Sequence, residues 1–301
     1  MECERYADQA GTLRQLSRNF DMDPLMTEPC LKVPRVISVT SGKGGVGKTV
    51  CAANMAVIMA RRGHRVLVID ADLGLANIDL YFGITSRFNL NHFFSGQKRL
   101  EEILIPAAER IHVLPAGSGV QQYTHLEAAQ RMRFMESLDA LHSRFDVVLI
   151  DTEAGISENV TYFTVAAHEI LLITTPEPTA ISDGYALMKL LSTRYYERHF
   201  KLIVNFVASE NEALDVYHKL TLVSSRFIDI SIDFLGAIPL DSRFTESVRR
   251  QKTLTETFPG SPPSLAFADL VDSLELQMET RAPKGTQQFF WKQLLACSGA
   301  G

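Results

Sequence analysis

Along the chain from Val36 to Pro239, short apolar runs recur: RVISVT, RVLVID, DVVLID, EILLITT, KLIVNFV and DFLGAIP. In each, successive positions are apolar, not alternate ones, so a strand made of these residues has to be covered on both faces. Between them lie longer stretches with helical periodicity, from about Lys48 to Arg62, near 125 to 142, and near 182 to 197. Strands of this kind alternating with helices predict an α/β fold with a mostly parallel central sheet and helices on both sides. Residues 21–35, DMDPLMTEPCLKVPR, carry three prolines and no apolar period, which predicts a linker. The expected organisation is a short segment over 1–20, that linker, a domain over 36–280, and a terminal amphipathic segment over 281–301.

Composition narrows the classes. Thirty basic and thirty-five acidic side chains give a net charge of -5. A protein held to duplex DNA by a broadly basic surface would not have this balance, so no specific nucleic-acid partner is expected. The four cysteines (Cys3, Cys30, Cys51, Cys297) are scattered, with no CxxC pair, and the histidines form no cluster at metal-ligand spacing. Reduced thiols in a cytoplasmic protein follow. The opening MECERYADQAGTLRQL is charged, and no apolar run is long enough to cross a bilayer, which speaks against secretion and membrane spanning.

In α/β sheets of this type, ligands bind beyond the carboxyl ends of the strands, and the polar residues that carry chemistry gather there. Gly42-Lys43-Gly44-Gly45-Val46-Gly47-Lys48-Thr49 fits G-x-x-x-x-G-K-[ST], follows a predicted strand and opens a predicted helix. Its glycines let several backbone N–H groups turn toward one anion, and the helix N-terminus adds the positive end of its dipole. Lys48 is then expected on the β- and γ-phosphates of ATP or on ADP, and Thr49 on Mg²⁺. Asp70 and Asp72 close the next strand, Asp151 closes DVVLID at the position where a carboxylate holds Mg²⁺, and Gly155 follows in a loop suited to a switch.

The form KGGVGKT, with both Lys43 and Lys48, resembles the deviant Walker A class of P-loop NTPases, the MinD/ParA family. The resemblance implies that Lys43 reaches the phosphates of a partner's ATP, so that ATP builds a homodimer. It implies further that Asp72 positions the attacking water, that Asn205 in LIVNFV meets adenine, and that GAIPLD around Pro239 closes the base pocket. Glu153 departs from the family, whose members carry a small residue there. A carboxylate beside the γ-phosphate repels it, so Glu153 is expected to point away or to slow the cycle.

Within that family, DLGLANIDLYFGI, DTEAGISENV and TTPEPTAISDGYALMKLL resemble the flagellar number regulators of the FlhG type, also called FleN or YlxH. Asp8-Gln9-Ala10-Gly11-Thr12-Leu13-Arg14 fits their DQAxxLR motif, which implies that Asp8, Gln9, Ala10, Leu13 and Arg14 act on an FlhF-like GTPase. Flagellar switch proteins or a flagellar transcription activator are further partners the resemblance implies. In TQQFFWKQLLAC, helical spacing puts Phe290, Trp291, Leu294 and Leu295 on one side, as a helix lying on the inner face of the cell membrane requires. The same segment could instead pack on the domain, or do each in turn. The expected activity is slow Mg-dependent ATP hydrolysis, with a MinD-like division regulator and a ParA-type partition protein as the rival readings.

Overall fold

The computed structural model describes residues 33–74, 76–117, 126–276 and 288–290. Strand β1 (Arg35–Ser41) leads into helix α1 (Lys48–Arg61), and β2 (Val66–Ala71) follows. Three short helices, α2 (Ile78–Phe82), α3 (Leu90–Phe94) and α4 (Leu100–Ile103), precede β3 (Ile105–Ala108) and β4 (Ile111–Leu114). Then come α5 (Ala128–Asp139), β5 (Val147–Ala154), α6 (Glu158–Val165), β6 (Glu169–Thr174) and α7 (Pro178–Tyr195). The order continues with β7 (His199–Val207), α8 (Glu210–Phe227), β8 (Ser231–Pro239), α9 (Arg243–Arg249), α10 (Leu254–Thr257) and α11 (Pro262–Leu276).

These strands form one eight-stranded sheet in the order β3-β4-β2-β5-β1-β6-β7-β8. Every pairing is parallel except β3 with β4. The predicted α/β fold is therefore observed, with all six predicted strands in place. The β3–β4 pair is an addition. Both strands are short, and Pro106 suits an edge position where no N–H is needed inward. Helix α7 starts earlier than its periodicity indicates, because Pro178 occupies the first turn, where a missing N–H costs nothing.

Alternate residues of each central strand feed opposite layers. Val39, Val68 and Leu149 pack under α1 and α11, with Met55 and Phe267. Val36, Ile69 and Ile150 pack on the other face with Phe93, Phe134 and Phe163. Farther along that face, Leu172, Leu202 and Val204 meet Leu187, Leu191 and Leu220 of α7 and α8. The sequence read as buried on both sides of the sheet is buried there.

Phe290 takes the packed place, one of the two left open for its segment. It is 1% exposed and Phe289 is fully buried, both within the Phe93, Phe134 and Phe163 cluster. The Phe289 N–H donates to the Ala166 carbonyl at 2.9 Å, and the Phe290 N–H to Asp139 Oδ1 at 2.9 Å. With φ at 58° Phe290 is left-handed, and its side chain lies in the domain core. Two adjacent aromatic rings gain more from a preformed apolar cluster than from an exposed stripe. Trp291, Leu294 and Leu295 lie outside the described residues, as do Asp8, Gln9, Ala10, Leu13 and Arg14. Among the described residues, no helix is long and apolar enough to cross a membrane.

At the amino end of the sheet, Glu169 joins Arg35 on β1 at 2.6 Å and Lys201 on β7 at 2.9 Å. Burial works to raise the Glu169 pKa, but the two cations outweigh it and hold the carboxyl below its usual range. A depressed acid stabilises the fold above its unfolded pKa and loses that contribution as pH falls through the folded value. We predict that Glu169→Gln, which leaves Arg35 and Lys201 facing each other, lowers stability at pH 7 by about 3 kcal/mol. Urea unfolding would show it, and the gap to the parent protein should close as the medium is acidified below the ordinary glutamate range.

Candidate functional site

The carboxyl ends of β1, β2, β5, β6, β7 and β8 share one edge of the sheet, and the residues predicted for the nucleotide and the metal, from Gly42 to Thr49 with Asp72, Asp151 and Asn205, lie along it. Gly42 approaches α7 so closely that an added Cβ would lie 2.1 Å from the Asp183 carbonyl carbon and oxygen. At Gly47, with φ at 91°, a Cβ would fall 2.3 Å from Asn205 Nδ2. Only glycine fits at these two points, because one lies against backbone and the other requires a left-handed conformation against a buried side chain. The loop they bracket runs directly into α1, whose first residue is Lys48.

Lys48 is 8% exposed, and its ammonium donates to Ser41 Oγ at 3.0 Å. Ser41 Oγ in turn donates to the Lys43 carbonyl at 2.7 Å. Burial lowers the Lys48 pKa, while the charges of Asp151 and Asp72 work against that shift. The ammonium thus sits close to both predicted carboxylates. Asp151 is 2% exposed, and burial raises its pKa to about 7 against the opposing effects of its bond to Thr49 and of Lys48. Its Oδ1 is buried without a hydrogen-bond partner. A carboxylate with one oxygen spare beside a threonine hydroxyl is a donor set that fits Mg²⁺, which takes few protein ligands and completes its shell with water and phosphate oxygens.

Asp70 stands directly opposite Asp151 on the neighbouring strand. Burial and the Asp151 charge push its pKa well up. Its oxygens accept from the backbone N–H groups of Asp72 at 3.1 Å, Asn77 at 3.2 Å and Ile78 at 3.3 Å. Asp70 therefore holds the loop carrying Asp72 and tethers the start of α2.

Lys43 lies on the surface of the loop. Its ammonium donates to Glu177 Oε2 at 2.5 Å and to Thr179 Oγ1 at 2.8 Å, both at the start of α7. Glu177 and Thr179 lie in a segment that carries the family resemblance, but the sequence assigns them no role at the loop, because they come together with Lys43 only through the β1–β6 pairing. The pair is well exposed, so it is worth at most about 1 kcal/mol and is readily exchanged for another anion.

Asn205 was expected at adenine. In the structure it is fully buried, its amide nitrogen donates to the Val46 carbonyl at 2.8 Å, and its amide oxygen accepts from the Phe206 N–H at 3.0 Å. This arrangement ties the glycine loop to β7. Glu153 accepts a hydrogen bond from the hydroxyl of Ser157, which caps α6 through the Val160 N–H at 3.3 Å. The unexpected carboxylate is thus engaged with the helix that follows the switch loop.

Beside the loop opens a cavity of about 580 Å³. Lys43, Gly44, Gly45 and Val46 line one part of it, and Phe206, Ala208, Glu212 and Leu240 another, with Thr175, Pro176 and Glu177 completing the wall. Leu240, in the segment after Pro239, is among the residues that line the cavity. Phe206, left-handed with φ at 58°, was not singled out; a bulky residue in that conformation is detectable only once the backbone is known.

A family model described as an AAA domain matches residues 34–202. The chain is 36% identical over 267 residues to the antiactivator FleN of Pseudomonas aeruginosa, covering 89% of this chain and 95% of that one. It is 33% identical over 269 residues to the flagellum site-determining protein YlxH of Helicobacter pylori, covering 88% and 91%. Among solved structures it resembles the septum site-determining protein MinD of Pyrococcus horikoshii complexed with Mg-ADP. The TM-score is 0.66 at 24% identity, over 83% of this chain and 99% of that one, a likeness of fold.

The glycine loop can be tested by crowding it. Gly42→Ala must displace the loop or α7, an overpacking cost of about 1–3 kcal/mol, and is expected to weaken nucleotide binding by about tenfold or more. A Cβ at Gly44 would meet only Ala154 Cβ at 3.9 Å, so Gly44→Ala should have a smaller effect. Titration with a fluorescent ATP analogue, with circular dichroism to check folding, measures both.

Proposed function

The chain belongs to the FleN and YlxH family of MinD/ParA-type P-loop ATP hydrolases, and on that premise we propose that it regulates flagellar number and placement through an ATP-driven dimer. The observation that carries this reading is the pairing of one buried lysine, Lys48, with one exposed lysine, Lys43, on a single glycine loop.

In this reading Gly42 to Thr49 wrap the phosphates with backbone N–H groups, and Lys48 neutralises the β- and γ-phosphates. Thr49 and Asp151 hold Mg²⁺, which supplies charge neutralisation on the phosphate chain. Asp72, steadied through Asp70, orients the attacking water. Lys43 exchanges Glu177 and Thr179 for the phosphates of a partner's nucleotide. The weakness of an exposed ion pair supports that exchange, since a triphosphate offers far more charge than one carboxylate.

The terminal segments extend the reading. DQAxxLR is proposed to dock on an FlhF-like GTPase and raise its turnover, with Arg14 meeting the partner's nucleotide or a carboxylate. The residues after Phe290 are proposed to bring the dimer to the inner face of the cell membrane. Burial of Phe289 and Phe290 supports a docked anchor from which such a segment extends. Flagellar switch proteins or a flagellar transcription activator are the further partners proposed.

Two experiments follow. In light scattering with ATP, Asp72→Ala should accumulate as a dimer with turnover reduced by about two orders of magnitude, while Lys43→Ala binds ATP and stays monomeric. A Lys43→Ala protein that dimerises normally would remove the shared-site model. A peptide of residues 1–20 should raise the GTPase rate of an FlhF-like protein, and the same peptide with Arg14→Ala should not; equal effects from both would remove the activator role.

A further inference from the structure

We infer that Glu153 biases the site toward the nucleoside diphosphate, by holding a negative charge between Asp151 and the glycine loop, where it weighs against the additional charge of ATP. The inference rests on the ATP reading of the site and adds to it the residue that separates the two nucleotides.

Strand β5 does not run evenly into the loop that follows it. Asp151 stands opposite Val39 and Ala154 opposite Ser41, so three steps along β5 meet two along β1, and the irregularity falls at Thr152 and Glu153. An insertion of this kind takes a side chain out of the regular alternation of the strand. Both flanks of it are fixed. Before it, the Asp151 carboxyl is bonded to Thr49. After it, a Cβ on Gly44 would meet Ala154 Cβ at 3.9 Å, and the Gly155 N–H donates to the Ser41 carbonyl at 3.0 Å. Ser41 is also the residue whose hydroxyl receives the Lys48 ammonium. Glu153 is therefore carried on backbone tied to the residues expected around the phosphates, and its charge acts on the Lys48 ammonium, as those of Asp151 and Asp72 do.

The carboxylate is also held. The Ser157 hydroxyl donates to it and accepts in turn from the Val160 N–H at 3.3 Å, so Glu153 is joined to the cap of α6. A fixed negative charge opposes each nucleotide according to the charge that the nucleotide brings. ATP brings one more than ADP, and brings it at the end of the phosphate chain that Lys48 and the metal receive. The penalty from Glu153 therefore falls more heavily on ATP.

The test measures both affinities by competition against a fluorescent ATP analogue, with Mg²⁺ and the full chain dilute enough that association of two copies adds nothing. Glu153→Gln keeps an acceptor oxygen for the Ser157 hydroxyl but carries no charge. It should bind ATP about tenfold more tightly than the parent protein, and ADP within about threefold of the parent. Glu153→Asp keeps the charge, and its ratio of ATP to ADP affinity should stay nearer to that of the parent than to that of Glu153→Gln. An unchanged ratio in Glu153→Gln would leave Glu153 as a support for the α6 cap and overturn the inference. Equal ratios in the two variants would trace the effect to shape, and loss of affinity for both nucleotides in Glu153→Gln would make the carboxylate a metal ligand; either result overturns it as well. Failure of the parent to bind ATP and ADP would instead remove the ATP reading, and the inference with it.

Discussion

Gly42 lies against the backbone of α7 at Asp183, and Gly47 lies against the buried amide of Asn205 on β7, so the phosphate loop is gripped from two elements at once. The rest of the site is built outward from that grip. Because the loop cannot drift, Lys48 enters the first turn of α1 beside Ser41 and Asp151, and Lys43 is left on the outer side within reach of Glu177.

Charge explains the inner half of the site. Asp70 and Asp151 are in register on adjacent parallel strands and nearly free of solvent; burial raises the pKa of both, and the Asp151 charge adds to the rise at Asp70. Asp70 spends its oxygens on three backbone N–H groups, whereas Asp151 keeps one oxygen without a partner. Two carboxylates with similar burial therefore have different uses: one holds a loop and the other is left open to a cation.

The amino end of the sheet shows the same economy with a different outcome. Glu169 is only partly buried, and Arg35 and Lys201 supply two cations, so it is held ionised instead of being driven neutral. That end serves cohesion of β1, β6 and β7. The carboxyl end, where charge is left incompletely matched, serves ligand chemistry.

Much of this could be read before any coordinates. Six strands apolar on both faces specify a covered parallel sheet, and G-x-x-x-x-G-K-T after the first of them specifies a phosphate loop, because local periodicity and backbone freedom are properties of neighbouring residues. The β3–β4 edge escaped notice since four-residue strands carry little periodicity. What the chain alone left open were pairings between distant residues: Lys43 with Glu177 and Thr179, Asn205 with Val46, and Phe289 and Phe290 with Phe134 and Ala166. Asn205 reads as a base contact in the linear pattern, and the segment of Phe290 as a helix either exposed or packed on the domain. Strand order and layer packing added the bond of Asn205 to Val46 and chose the packed place for Phe290, because these partners lie more than a hundred residues away in the chain.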